Sequence, residues 1–104
     1  MTRPVVWSCG ARSDLVDIIR TIARRNPYAA ARVADRIEEA ASVLSDFPTG
    51  RPGRVSTTYE KVLTGLPYIL AYEVIPRPGG GEMIVILHVI HGARDWPHER
   101  WPAD

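Results

Sequence analysis

The chain has one cysteine, Cys9, and one lysine, Lys61, among its 104 residues. A lone cysteine closes no internal disulfide and builds no cysteine-based zinc site. No stretch approaches the roughly eighteen consecutive apolar residues of a membrane span. The opening MTRPVVWSCG lacks the apolar core of a signal peptide. No internal repeat and no long polar tail is visible. These absences predict one domain over residues 1–104, held by its own hydrophobic core, in the reducing cytoplasm. They also predict no metal, no cofactor and no membrane partner. A formal net charge of +1 argues against a protein that simply coats nucleic acid or membrane.

What is present begins with arginine. Of thirteen basic side chains only Lys61 is a lysine. The guanidinium fork suits phosphate and carboxylate better than an ammonium does, although a GC-rich genome produces the same bias.

Along the chain, Pro4–Trp7 reads as a brief strand, followed by a turn at Ser8-Cys9-Gly10. Leu15, Ile18, Ile19 and Ile22 then trace one face of an amphipathic helix. Asn26-Pro27 ends it and starts the next, with asparagine as N-cap and proline at the first helical position. That second helix runs from Pro27 to about Ser45 on an inner stripe of Ala30, Val33, Ala34, Ile37, Ala41 and Leu44. The short link predicts an antiparallel helical hairpin.

A Pro/Gly-rich loop, Phe47 to Arg54, follows. Strands are predicted at Thr57–Leu63, Tyr68–Ile75 and Met83–His91, the last apolar on both faces and therefore central. The predicted fold is α+β: an N-terminal strand and an antiparallel helical hairpin packed on an antiparallel sheet.

Several constellations are candidates for chemistry. At the end of the last strand and just past it lie His91, Arg94 and Asp95, with His88 before them and His98 after. Histidine carries protons near neutral pH, and an arginine stabilises a phosphate gaining charge. His88 and His91 point to opposite faces of the strand, so they do not act as a pair. Arg51 and Arg54, with Lys61, form a basic loop that can meet nucleic-acid phosphates or lie solvated. Glu60 is either a general base or an exposed strand residue with a cross-strand partner, and Glu73 is a weaker case of the same choice. Trp96 and Trp101 stack on bases or cover the end of a small core.

With these elements placed, the chain resembles the RelE/ParE superfamily of bacterial type II toxins. The matching pieces are Val6-Trp7-Ser8, Asp14-Leu15 with Ile18, Asn26-Pro27 and Ala30-Ala31. Further on they are Gly50-Arg51, Gly53-Arg54-Val55, Gly65-Leu66-Pro67-Tyr68 and Tyr72-Glu73-Val74. The most specific is Ile86-Leu87 through Val89, His91-Gly92-Ala93-Arg94 and Trp96-Pro97.

The resemblance implies a helical hairpin on an antiparallel sheet and a cognate antitoxin that folds as it wraps the toxin, forming a hetero-oligomer. It implies one of two targets. ParE-like members poison DNA gyrase; RelE-like members cleave mRNA on the ribosome. RelE-type sequences often place an arginine directly after the first tyrosine of the penultimate strand. Here that residue is Ile69, and many relatives have arginine where this chain has His88. The expectation is therefore a ParE-like toxin acting on gyrase through a surface including Arg51, Arg54, Lys61, Arg94 and Trp96. If the chain is instead an endoribonuclease, the resemblance implies Arg94 for transition-state charge and His91 or Glu60 for proton transfer. A third outcome is an inactive remnant that only binds antitoxin.

Overall fold

The computed structural model describes residues 3–53 and 55–91. They form β1 (Val5–Trp7), α1 (Cys9–Ala23), α2 (Pro27–Val43), β2 (Arg51–Pro52), β3 (Tyr59–Val62), β4 (Tyr68–Pro76) and β5 (Glu82–His91). The five strands make one sheet in the order β1-β5-β4-β3-β2. The pairs β2/β3, β3/β4 and β4/β5 are antiparallel. β1 departs from the expected antiparallel pattern and pairs parallel to β5. The chain reaches α1 directly from β1 and returns to β5 only after both helices and three strands, so no tight turn dictates the pairing.

Ser8 explains why no separate turn follows β1. Its hydroxyl accepts the Ala11 N–H at 3.1 Å as N-cap of α1 and donates to Leu87 O at 2.9 Å. Its own N–H bonds Ile86 O at 2.9 Å. Asn26 caps α2 through the Ala29 N–H, with Pro27 at the first helical position. Leu44 caps α2 at its other end, slightly short of the expected Ser45. Ser45 is used elsewhere: its hydroxyl donates to Arg3 O at 2.6 Å, and its carbonyl accepts the Arg3 N–H at 2.9 Å.

The strand expected from Thr57 begins at Tyr59. Thr57 has φ 70°, which no strand accommodates, and the Thr58 hydroxyl folds back onto Val55 O at 2.6 Å. This turn brings Arg51–Pro52, in the expected loop, alongside Tyr59 and Glu60 as a two-residue edge strand. Gly50 permits the approach: at φ 144°, a Cβ there would stand 2.8 Å from Glu60 O.

The main core lies between the sheet and the hairpin. Ala11, Ile37, Ala41 and Leu44 meet Leu70, Tyr72, Ile84, Ile86 and Val89. Each buried large aliphatic contributes about 1.5–3 kcal/mol. β5 holds one extra residue here: Tyr72 pairs with Ile86 but Ala71 pairs with His88, leaving Leu87 in a bulge. The alternation therefore changes phase, and Val89 joins Ile84 and Ile86 on the helix side. A smaller cluster of Ile69, Ala71 and Ile90 lies apart from it.

α1 is tied to β5 by more than packing. Asp14 Oδ2 accepts the Val89 N–H at 2.9 Å and lies 3.1 Å from His88 Nδ1. Replacing Ile37 with alanine should cost about 2–5 kcal/mol in urea unfolding. Asp14→Ala, which strands the Val89 N–H, should cost about 1–3 kcal/mol. An Asp14→Ala protein with wild-type stability would show that the clamp contributes nothing.

Candidate functional site

The register sorts the candidate residues between the two faces of the sheet. Arg51 is opposite Glu60, Glu60 opposite Ala71, and Ala71 opposite His88, so these residues form a row across β2, β3, β4 and β5. Glu60 is 3% exposed and His88 2% exposed. Arg51 Nη2 reaches Glu60 Oε1 at 3.4 Å, from a side chain 62% exposed to one that is buried. A neighbouring row on the same face is apolar: Val62, Ile69 and Ile90. Ile69, where the resemblance calls attention to a missing arginine, is buried in the small cluster.

Lys61 and His91 belong to the other face. Lys61 is opposite Leu70, and its Nζ donates to Thr49 Oγ1 at 2.9 Å. His91 is opposite Tyr68, with the rings edge-on at 5.5 Å and 83°. The structure thus brings Arg51 to Glu60 and separates both from His91. Arg54, Arg94 and Trp96, like His98 and Trp101, lie outside the described residues. Among the described residues, no group of three or more His, Cys, Asp or Glu side chains could hold a metal ion. No helix among them is long and apolar enough to cross a membrane.

Two features escaped sequence reasoning. Asp14 enters the sequence reading as part of the Asp14-Leu15 match to the family, and nothing in its spacing announces a contact with a strand 74 residues later. The second is a cleft of about 430 Å³ between β1 and the end of α2, lined by Arg3, Pro4, Val5, Trp7, Ala41 and Ser45 among others. β1 is the sheet's edge here. Val6, Val43 and Phe47, on β1 and at the end of α2, are 40%, 46% and 66% exposed.

Residues 5–96 match the family model described as ParE toxin of type II toxin-antitoxin system, parDE. The chain belongs to this toxin family. It is 38% identical over 92 residues to the protein Y4kP of Sinorhizobium fredii, covering 88% of this chain and 90% of that one. It is 33% identical over 91 residues to Toxin RelE2 of Caulobacter vibrioides, covering 86% and 96%. In fold it is similar to a chain of the chromosomal ParDE system from P. aeruginosa, with TM-score 0.75 and 22% identity over 86% of this chain and 96% of that chain. The hairpin-on-sheet architecture expected from the sequence is therefore that of the family.

Tyr72 ties the β2 approach to the core. Its hydroxyl donates to Thr49 O at 2.7 Å, and its ring stacks on Tyr59 at 5.6 Å. Burial first, and the nearby Tyr59 second, push its pKa above the usual 10.0. A phenol held neutral in the fold costs stability once the unfolded chain begins to ionise, because only the unfolded state gains from losing the proton. Its contribution is present below pH 10 and is lost as pH rises through the raised folded value. Tyr72→Phe should remove part of the steep stability loss above pH 10 while costing about 0.5–1.5 kcal/mol at neutral pH. Identical alkaline melting profiles for both proteins would refute this role.

Proposed function

We propose that this chain is a growth-inhibiting toxin that acts on DNA gyrase in the cytoplasm and is held silent by a cognate antitoxin. The observation that carries the gyrase reading is the apolar row Val62–Ile69–Ile90. A phosphodiester-cleaving surface needs a cation beside the scissile phosphate, and Ile69 cannot supply it. The only described cation on that face's polar row, Arg51, is already matched to Glu60. Binding without hydrolysis makes no such demand.

The antitoxin reading is supported by the cleft and its surroundings. An edge strand, an adjoining cleft that mixes Val5, Trp7 and Ala41 with Arg3, Glu38 and Ser45, and exposed Val6, Val43 and Phe47 suit a partner segment that folds on binding. A ligand that binds only the folded toxin stabilises it by about 4 kcal/mol at a thousand times its Kd. Saturating antitoxin, encoded in the neighbouring reading frame, should therefore raise the melting temperature by several degrees. Phe47→Asp should weaken the complex. Unchanged melting with saturating antitoxin would rule out the tight pair.

The second reading is a ribosome-dependent endoribonuclease, favoured by the pairing of the exposed Arg51 with the buried Glu60, with Arg94 as a further participant. Induction without antitoxin separates the two. Gyrase poisoning should give cleaved gyrase–DNA complexes and a DNA-damage response, unaffected by Glu60→Gln. Rapid translation arrest with intact supercoiling, abolished by Glu60→Gln, would overturn the gyrase reading.

A further inference from the structure

The two helices of the hairpin carry their charge at opposite ends. From Ile18 to Ala34 the chain has four arginines, Arg20, Arg24, Arg25 and Arg32, and no carboxylate. These residues are the second half of α1, the link and the first half of α2, so together they form the hairpin's tip. All four are exposed, and none makes an ion pair among the described residues. At the other end, Asp14, Asp17, Asp35, Glu38, Glu39 and Asp46 outnumber Arg12 and Arg36. Since the whole chain carries only +1, the tip is a local concentration of charge.

Folding accounts for only part of this arrangement. Arg20, in the last turn of α1, and Arg24, its C-cap, offset the negative end of that helix. Arg25 does not, because it immediately precedes the Asn26 cap of α2, whose positive end repels it. Tyr28, in the first turn of α2, is 83% exposed, the most exposed of the large apolar side chains described. It contributes nothing to the core, and it presents a ring and a hydroxyl among the arginines. The N-terminus of the 17-residue α2 adds its own positive potential to the same spot.

We propose that the hairpin tip, centred on Arg24, Arg25 and Tyr28, binds the phosphate backbone of duplex DNA. Guanidinium forks bind phosphate oxygens, the Tyr28 hydroxyl donates to another, and the acidic base turns the hairpin tip-first toward the polyanion. The choice of duplex DNA rests on the gyrase reading, because a protein acting on a DNA-bound enzyme meets duplex backbone beside it. The contact is independent of base sequence and involves neither the cleft nor the Arg51–Glu60 row.

The test is anisotropy of a short fluorescent DNA duplex titrated with the full chain at several salt concentrations. Each phosphate contact adds roughly 0.9 to the slope of log K against log salt. Arg24→Gln/Arg25→Gln should flatten the slope by about 2, Tyr28→Ala should weaken binding, and Arg24→Lys/Arg25→Lys should keep the slope. All variants should still melt cooperatively and keep the wild-type antitoxin affinity, which separates lost contacts from misfolding. No binding by the wild type at low salt, or an unchanged slope in the glutamine variant, overturns the inference. So does tighter binding to single-stranded RNA of the same length. Gyrase-dependent DNA cleavage, measured on the same proteins, reports separately on the target. Cleavage by the wild type without tip-dependent DNA binding overturns the tip assignment and leaves the gyrase reading standing. Loss of cleavage in the glutamine variant, with no DNA binding by the wild type, assigns the tip to an acidic protein surface and also overturns it.

Discussion

β1 stops at Trp7, and from there the outer edge of β5 has no strand to pair with. A β-strand edge buried under a helix must still satisfy its N–H and C=O groups, and each failure costs about 1–3 kcal/mol. Here the first turns of α1 do the work of a strand. Ser8 takes Ile86 O and Leu87 O, and Asp14 takes the Val89 N–H. These bonds fix α1 in both position and rotation. α2 follows, because it packs on α1 through a three-residue link. The cleft beside β1 and the direction in which the hairpin projects are consequences of the same few hydrogen bonds.

The second constraint is the division of the sheet into two unlike faces. The helix side is filled by aliphatics, with Lys61 and His91 toward its margins. The opposite side sets a polar row, Arg51–Glu60–Ala71–His88, against an apolar one, Val62–Ile69–Ile90. A proton carrier and a carboxylate that are close in a schematic of the sheet are thus held on opposite sides of it. One face carries an ion pair between an exposed arginine and a buried glutamate beside an apolar row, the other an edge strand and a cleft.

Much of the fold was legible in the sequence because its signals are local. Leu15, Ile18 and Ile22 mark α1 by period, Asn26-Pro27 marks the helix junction by capping chemistry, and the apolar run in β5 marks a central strand. What escaped was non-local or depended on a single torsion. Strict alternation would have put His88 beside Ile84 and Ile86, but the extra residue at Leu87 moves it into register with Ala71. Nothing in the string IVILHVI announces that insertion. β2 is two residues long, below any periodicity, and exists because of the turn around Thr57. Of the candidate site, the residue types and the opposite facing of His88 and His91 were readable, but which of the two faces the helices would cover was not. The Asp14–His88 contact joins residues with no sequence pattern between them.

The turn from Arg77 to Gly81 closes the longest pairing in the molecule, the register from Tyr68↔His91 to Pro76↔Glu82. Its three glycines all have positive φ and have no atom within 4 Å of where a Cβ would stand. The strands specify their own alignment, so the turn carries no pairing information and only has to close. Doubling the length of such a loop costs only about 0.6 kcal/mol of closure entropy. This makes it a natural port for an inserted epitope or a fluorescent label. Cargo placed there would ride at the end of the sheet's longest hairpin without altering the packing of β4 and β5 beneath it.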